Sequence, residues 1–366
     1  TPASGMATLP PVPDAMSSLP ASHRAVVYTE PGRVEVAERR VRPLRALDVL
    51  LRVSHCGVCG SDIHFVLEGW GTPGSVEGHE YSATVVAVGD QVTRWKVGDE
   101  VVGGPSPRCG ACEYCLAGRP SLCVGRSAAG VDEYPDGAFA EYVVASEQEI
   151  LRIPDRVSLR AAALAEPLAV ALHGLTRGGV RAGQRLLVTG GGPIGALSVA
   201  AATARGVTDI VVSEPHPRRR ALCERLGAVT VAPDALVPPP MPHATVDEPF
   251  DVALECSGHP AAMEAALGQL KRAGTLVLVG AGIKRPRFDN NRILLNELTI
   301  TGAFVYDADG FERALELLAQ PGFPSDVLIE PGDVPLGGML DALRGLEAGD
   351  LAGKVMIVPN PTGASR

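Results

Sequence analysis

The hydrophobic pattern of the chain changes character near residue 158. Ahead of that point, apolar residues come in short runs broken by Pro and Gly. Residues 24–28 and 48–53 are such runs, bounded by Pro31-Gly32 and Pro43, and residues 81–89 form another, rich in Val and Thr. Runs of this length and composition predict β-strands. Residues 90–99 read as a turn-rich link into a further strand at 100–102, so this half predicts a compact antiparallel β domain. Beyond residue 158 the pattern lengthens. Residues 158–175 are rich in Ala and Leu and predict a helix capped by Ser158. From residue 185 the order is strand (186–189), Gly-rich turn (190–195), Ala-rich helix (196–205) and strand (210–212). Residues 251–254 and 276–279 are apolar runs of buried-strand length. Strands alternating with helices predict a parallel sheet covered on both faces, hence an α/β fold for this half. Residues 233–249 carry many prolines and predict an irregular surface loop. Residues 311–318 and 337–347 predict helices, and 353–358 a last strand; no internal repeat is found.

At 366 residues the chain is long for one hydrophobic core, which predicts two domains. Apolar residues make up 46% and charged residues 20%, ordinary for a globular protein in water, and the net charge is −9. A uniformly acidic balance argues against nucleic acid or anionic membrane as the main partner. The longest clean apolar run, residues 275–281, is far too short to span a bilayer. Residues 1–22 are rich in Pro, Ala and Ser, without a cationic start or apolar core, so they do not read as a secretion signal. They are expected to be a disordered tail, either natural throughout or with a natural start at Met6 behind a short tag remnant.

Candidate chemistry concentrates between Cys59 and Glu80. The stretch opens Cys59-Gly60-Ser61-Asp62-Ile63-His64 and closes Gly78-His79-Glu80. A thiolate, an imidazole and a carboxylate are the ligand mix that suits zinc, and acid–base groups nearby point to a metal that does chemistry. Cys109, Cys112, Cys115 and Cys123 lie in a Gly- and Pro-containing loop, at a spacing that closes a structural zinc site. Disulfides or an iron–sulfur cluster are the competing readings of that lobe. Clustered cysteines in a large chain favour metal and a reducing, cytoplasmic compartment. Cys56, Cys223 and Cys256 fall outside the lobe and the motif's ligand set, and Cys56 reads as a buried inert thiol. His55 and His173 read as structural, and Asp62 as a partner of a ligand rather than a ligand.

Gly190-Gly191-Gly192-Pro193-Ile194-Gly195 follows an apolar strand and opens a helix, the context in which such a turn binds a dinucleotide. Gly190 permits the tight turn, Gly192 the approach of a pyrophosphate, and Gly195 close packing of helix on strand. Glu214, at the end of the next strand, can accept hydrogen bonds from ribose hydroxyls and would repel a 2′-phosphate, which favours NAD over NADP. Arg219, between Arg218 and Arg220, joins the cofactor-binding set as a cation that could offset Glu214.

Together and in this order, these features resemble the zinc-dependent medium-chain dehydrogenase/reductase family, in particular its polyol (sorbitol-like), butanediol and threonine dehydrogenase branch. The resemblance runs from about Arg24 to Val358 and also rests on Glu166-Pro167-Leu168 and Glu255-Cys256-Ser257-Gly258. It implies a GroES-like β-barrel catalytic domain (residues 23–167 and 305–366, with the cysteine lobe at 105–124) split around a Rossmann domain (168–304). It implies a homodimer or homotetramer and two Zn2+ per chain, one catalytic and one structural. The catalytic thiolate falls on Cys59 and the histidine ligand on His79. The third ligand is a carboxylate, Glu80 or Glu166, and the two are expected to exchange at the metal. The implied reaction is reversible oxidation of an alcohol to a carbonyl with NAD, the proton leaving through Ser61, a ribose hydroxyl and His64. Residues 63–76 are expected to line the substrate pocket. They offer Phe65, Leu67 and Trp70, with Glu68 as the one charge and no Lys or Arg. An uncharged secondary alcohol, diol or polyol fits that lining, with an amino-alcohol contacting Glu68 as the alternative. A zinc-free reductase of C=C bonds and a non-catalytic dehydrogenase scaffold are the readings from other classes.

Overall fold

The computed structural model describes residues 20–104, 108–125, 137–307 and 310–360. Most of the expected N-terminal tail, residues 1–19, lies outside the described residues, and the chain is already strand at Ser22. Strand β1 (Ser22–Glu30) turns back at Gly32, with φ 74°, into β2 (Arg33–Arg40). A second antiparallel sheet is built on β3 (Asp48–Gly57), which leads into helix α1 (Gly60–Val66). Its further strands are β4 (Glu80–Val88), β5 (Glu100–Gly103), β6 (Tyr142–Ser146) and β7 (Ile150–Arg152). The short helix α2 (Glu113–Leu116) sits in the cysteine lobe between β5 and β6. Along β4 buried and half-buried positions alternate toward its end, as a one-sided antiparallel sheet requires. The antiparallel half anticipated from short runs is therefore present.

Residues 158–175 are not one helix. They form α3 (Leu159–Ala162) and α4 (Ala165–Arg177). Ser158 does cap the first, its Oγ accepting the Ala161 N–H at 3.2 Å. The break has a local cause: Pro167 has no N–H to give and is tolerated only in a first turn, so the helix restarts at Ala165.

The second half alternates strand and helix except between β10 and β11: β8 (Arg185–Thr189), α5 (Pro193–Ala204), β9 (Asp209–Ser213), α6 (Pro217–Arg225), β10 (Val229–Val231), β11 (Phe250–Glu255), α7 (Pro260–Gly268), β12 (Leu270–Leu278), α8 (Asn290–Leu295) and β13 (Thr299–Gly302). The six strands pair in parallel in the order β10-β9-β8-β11-β12-β13. The order reverses between β8 and β11, where such sheets bind ligands at the strands' carboxyl ends. Successive residues of β8 enter different cores. Leu186 and Val188 pack with α4 and α5, while Leu187 packs with Ala266 and Leu267 of α7. Both faces of the sheet are thereby covered.

The chain then returns through α9 (Gly310–Leu318), α10 (Ser325–Leu328) and α11 (Met339–Ala348) to β14 (Met356–Ile357). β14 pairs with β3, Met356 opposite Gly57 and Ile357 opposite Cys56. Met339, Leu343 and Leu346 of α11 join the core of the antiparallel half. The carboxyl-terminal segment thus completes the amino-terminal sheet. Leu187 is fully buried, and Leu187→Ala is expected to cost about 3 kcal/mol, read as a lower urea midpoint with an unchanged m-value.

Candidate active site

Cys59 stands at the amino end of α1 in extended conformation, and its N–H donates to Asp62 Oδ2 at 2.8 Å. Ser61 and His64 follow on the same helix, three residues apart and so on one face. His79 and Glu80 enter β4 from Gly78, whose φ is 102° and where a Cβ would stand 2.7 Å from Phe139 N. The donor atoms of Cys59, His79 and Glu80 lie within 4.8 Å of one another. Glu166, in the first turn of α4, is buried but lies outside that set.

Glu80 is fully buried. One oxygen, Oε1, accepts from Lys354 Nζ at 2.7 Å, and the other, Oε2, has no hydrogen-bond partner among the described residues. Lys354 is equally buried and also donates to Val58 O at 3.0 Å. Gly57, opposite Glu80 in the sheet, makes room for this pair: a Cβ there would fall 2.2 Å from Glu80 Oε2. Burial pushes Asp62 up to about 6 and Glu166 up to about 7, in each case against the pull of His79. Burial opposes charge on His79, but Cys59, Asp62 and Glu166 hold it well above the usual imidazole range. The orphaned Glu80 oxygen, a sulfur and an imidazole nitrogen converge here, and these are donors that zinc accepts.

In the cysteine lobe Cys109, Cys112, Cys115 and Cys123 place their sulfurs within 4.8 Å of one another. Cys109 Sγ lies 3.9 Å from that of Cys115 and 3.5 Å from that of Cys123. All four are free thiols, and thiolates on one tetrahedral zinc stand about 3.8 Å apart. Backbone N–H groups of Cys115 and Val124 draw Cys112 down to about 6, toward the thiolate a metal needs.

At the sheet's reversal point Gly190 has φ 94°, and a Cβ there would meet Ser257 at 2.8 Å. A Cβ on Gly195 would stand 1.9 Å from Gly190 O, so only glycine lets α5 start so close to β8. Gly192 caps α5 without a side-chain bond, Pro193 and Ile194 open the helix, and its first N–H groups are left to an anion. Glu214 is buried beside this turn, accepting from Gly191 N at 2.7 Å and His216 N at 2.9 Å. Arg219 donates to the carbonyls of Leu351 at 3.2 Å and Leu346 at 2.6 Å, and Arg220 to those of Glu214 and Pro215.

Sequence reasoning missed Lys354 and Gly57. A lysine near a chain end and a glycine in a strand carry no signal until β14 returns to β3. Within the segment expected to line the pocket, Glu68 bonds His64 Nδ1 at 2.7 Å and Trp70 stacks on the same ring. Cys56 is buried, and burial pushes its thiol well above the usual range. His55 and His173 lie by Asp333 and Asp307, away from the metal-ligand sets.

Comparison with known proteins agrees with this geometry. Residues 45–155 match the alcohol dehydrogenase GroES-like domain and residues 193–320 the zinc-binding dehydrogenase domain. Sorbitol dehydrogenase of Bacillus subtilis is 32% identical over 354 residues, which cover 94% of this chain and 99% of that protein. The structure of 2R,3R-butanediol dehydrogenase from Bacillus subtilis superposes with a TM-score of 0.80 at 28% identity, covering 93% of this chain and 100% of that one. A zinc-binding dehydrogenase from Sinorhizobium meliloti 1021, solved with NADP, gives 0.82 at 30% identity, again over 93% and 100%. The chain belongs to the zinc-dependent medium-chain dehydrogenase/reductase family, with a GroES-like half joined to a Rossmann-like parallel sheet. It is an alcohol/polyol dehydrogenase, an oxidoreductase acting on CH–OH.

Glu80→Ala is expected to yield zinc from the Cys59–His79 site to a chelator more readily than Glu166→Ala does, with any zinc in the cysteine lobe unaffected by either. Equal release from the two variants would undo the distinction. In the metal-free chain, burial holds Glu166 above its ordinary value of 4.5, at about 7. The fold therefore favours its protonated form, and stability is lost as pH rises through that window. Glu166→Gln is expected to flatten this decline in thermal unfolding; an unaltered slope would assign it to another group.

Proposed function

We propose that the chain oxidises a neutral secondary alcohol, diol or polyol with NAD, at a catalytic zinc held by Cys59, His79 and a carboxylate, Glu80 with Glu166 as its exchange partner. A second zinc in the Cys109, Cys112, Cys115, Cys123 lobe is structural. The observation that carries this reading is the convergence of Cys59, His79 and the buried Glu80 at the foot of the helix bearing Ser61 and His64. Bound zinc supplies the Lewis acidity that makes an alkoxide accessible near neutrality, and bound NAD the hydride acceptor. The chain's part is to orient and to move a proton: Ser61 takes it from the alcohol and His64 passes it to solvent. Support for an uncharged substrate is the lack of any Lys or Arg in residues 63–76. Glu68 shares one carboxylate oxygen with His64, and an amino-alcohol contacting its other oxygen is the alternative substrate.

NAD is favoured because Glu214 lines the turn as a buried carboxylate while Arg219 and Arg220 spend guanidinium N–H groups on carbonyl oxygens. A homodimer or homotetramer fits the exposed edge of the parallel sheet at β13, near the exposed Leu294 and Leu295. Eight free thiols fit a cytoplasmic setting, and among the described residues no helix is long and apolar enough to cross a membrane.

A panel of neutral alcohols, diols, polyols, amino-alcohols and sugar phosphates, each with NAD and NADP, tests the reading alongside metal analysis. Turnover of neutral diols or polyols with NAD and two zinc ions per chain is expected. Turnover of sugar phosphates alone, or zinc in the lobe only, would overturn it.

A further inference from the structure

The imidazole at the end of the proton route is held by features that nothing in the route requires. His64 lies in the last turn of α1, and residues just beyond the helix converge on its ring. The Glu68 carboxylate, one turn on, lies 2.7 Å from His64 Nδ1. An ionised carboxylate only accepts, so the proton of that bond sits on Nδ1. Gly69 then reverses the chain at φ 82°, and a Cβ at this position would stand 2.7 Å from Pro31 Cγ, so glycine is needed on both counts. The reversal brings Trp70 over the imidazole, with ring centroids 5.1 Å apart and planes 22° from parallel. The turn is tied by the Trp70 N–H donating to His64 O at 3.1 Å. The side chains of His64 and Glu68 keep 20% and 37% of their exposure. A half-exposed pair at this spacing adds little stability by itself, so its value lies in what it does to the ring.

We propose that Glu68 is a positioning residue that sets His64 as the terminal proton acceptor of the reaction. The carboxylate fixes the neutral ring as the Nδ1–H tautomer, which leaves Nε2 as the basic atom, and it stabilises the imidazolium once the proton has arrived. Trp70 restricts ring rotation from one face. The step moves a proton alone: an O–H bond of the relay breaks, the Nε2–H bond forms, and the ring later yields that proton to water. The hydride leaves separately to the dinucleotide. This inference rests on the relay reading of Ser61 and His64 given above.

The test uses the zinc-loaded full chain labelled with 15N-histidine, the His64 signals being identified by their absence from His64→Ala. Wild type is expected to show the Nδ1–H pattern, and Glu68→Ala to shift it toward Nε2–H. With 2,3-butanediol and NAD as probes, Glu68→Ala should lower kcat on the order of tenfold at unchanged KM. In a His64→Ala background the same change should have no further effect. Unchanged His64 signals in Glu68→Ala, or an equal loss of kcat with and without His64, would overturn the proposal. Wild-type kcat in His64→Ala would sink the relay reading itself and the role of Glu68 with it. That failure is recognisable because the 15N signals would still respond to Glu68.

Discussion

The buried ion pair between Glu80 and Lys354 is the interaction on which the site depends. Neither charge tolerates that depth alone; removing one partner of such a pair typically costs about 3–5 kcal/mol. Their meeting requires β14 to close against β3, because Lys354 stands two residues before β14 and Glu80 opens β4 on the other side of β3. It also requires Gly57, since any side chain there would occupy the space of the Glu80 carboxylate. The ammonium takes one carboxylate oxygen and leaves the second beside Cys59 and His79. A candidate metal-ligand cluster drawn from residues 59–80 is in this way finished by a residue from the far end of the chain.

The same carboxyl-terminal segment supports the dinucleotide turn. Arg219, at the start of α6, holds the carbonyls of Leu346 and Leu351, and His216 packs where any side chain on Gly349 would clash. Gly349 has φ 79° and ends α11, so the helix can stop there and the chain can run on to Lys354. Residues 346–354 thus touch Arg219 at one end and the Glu80 carboxylate at the other. Burial of apolar side chains of α11 in the antiparallel core keeps that segment in register.

Around Cys59, His79 and Glu80 the burial of carboxyls sets the chemistry. Asp62 and Glu166 are both raised because burial penalises another anion there. Of the lobe cysteines Cys109 is exposed, Cys112 and Cys115 are half-buried and Cys123 is buried.

Much of this was legible in the sequence because the signals are local. Period-two and buried-strand runs, the Gly190 to Gly195 turn and the cysteine spacing each depend on residues within one or two turns of chain, where backbone geometry is set by neighbours. Where local rules compete the reading slipped: residues 158–175 became two helices because Pro167 forced a restart. The sequence by itself determined the ligand types and the elements that carry them. Tertiary structure alone decided that Glu80 joins Cys59 and His79, that Lys354 holds it, and that Glu166 lies outside that set. The physical reason is that the register of β14 on β3 and the space left by Gly57 are properties of packing between distant segments, which no local pattern encodes.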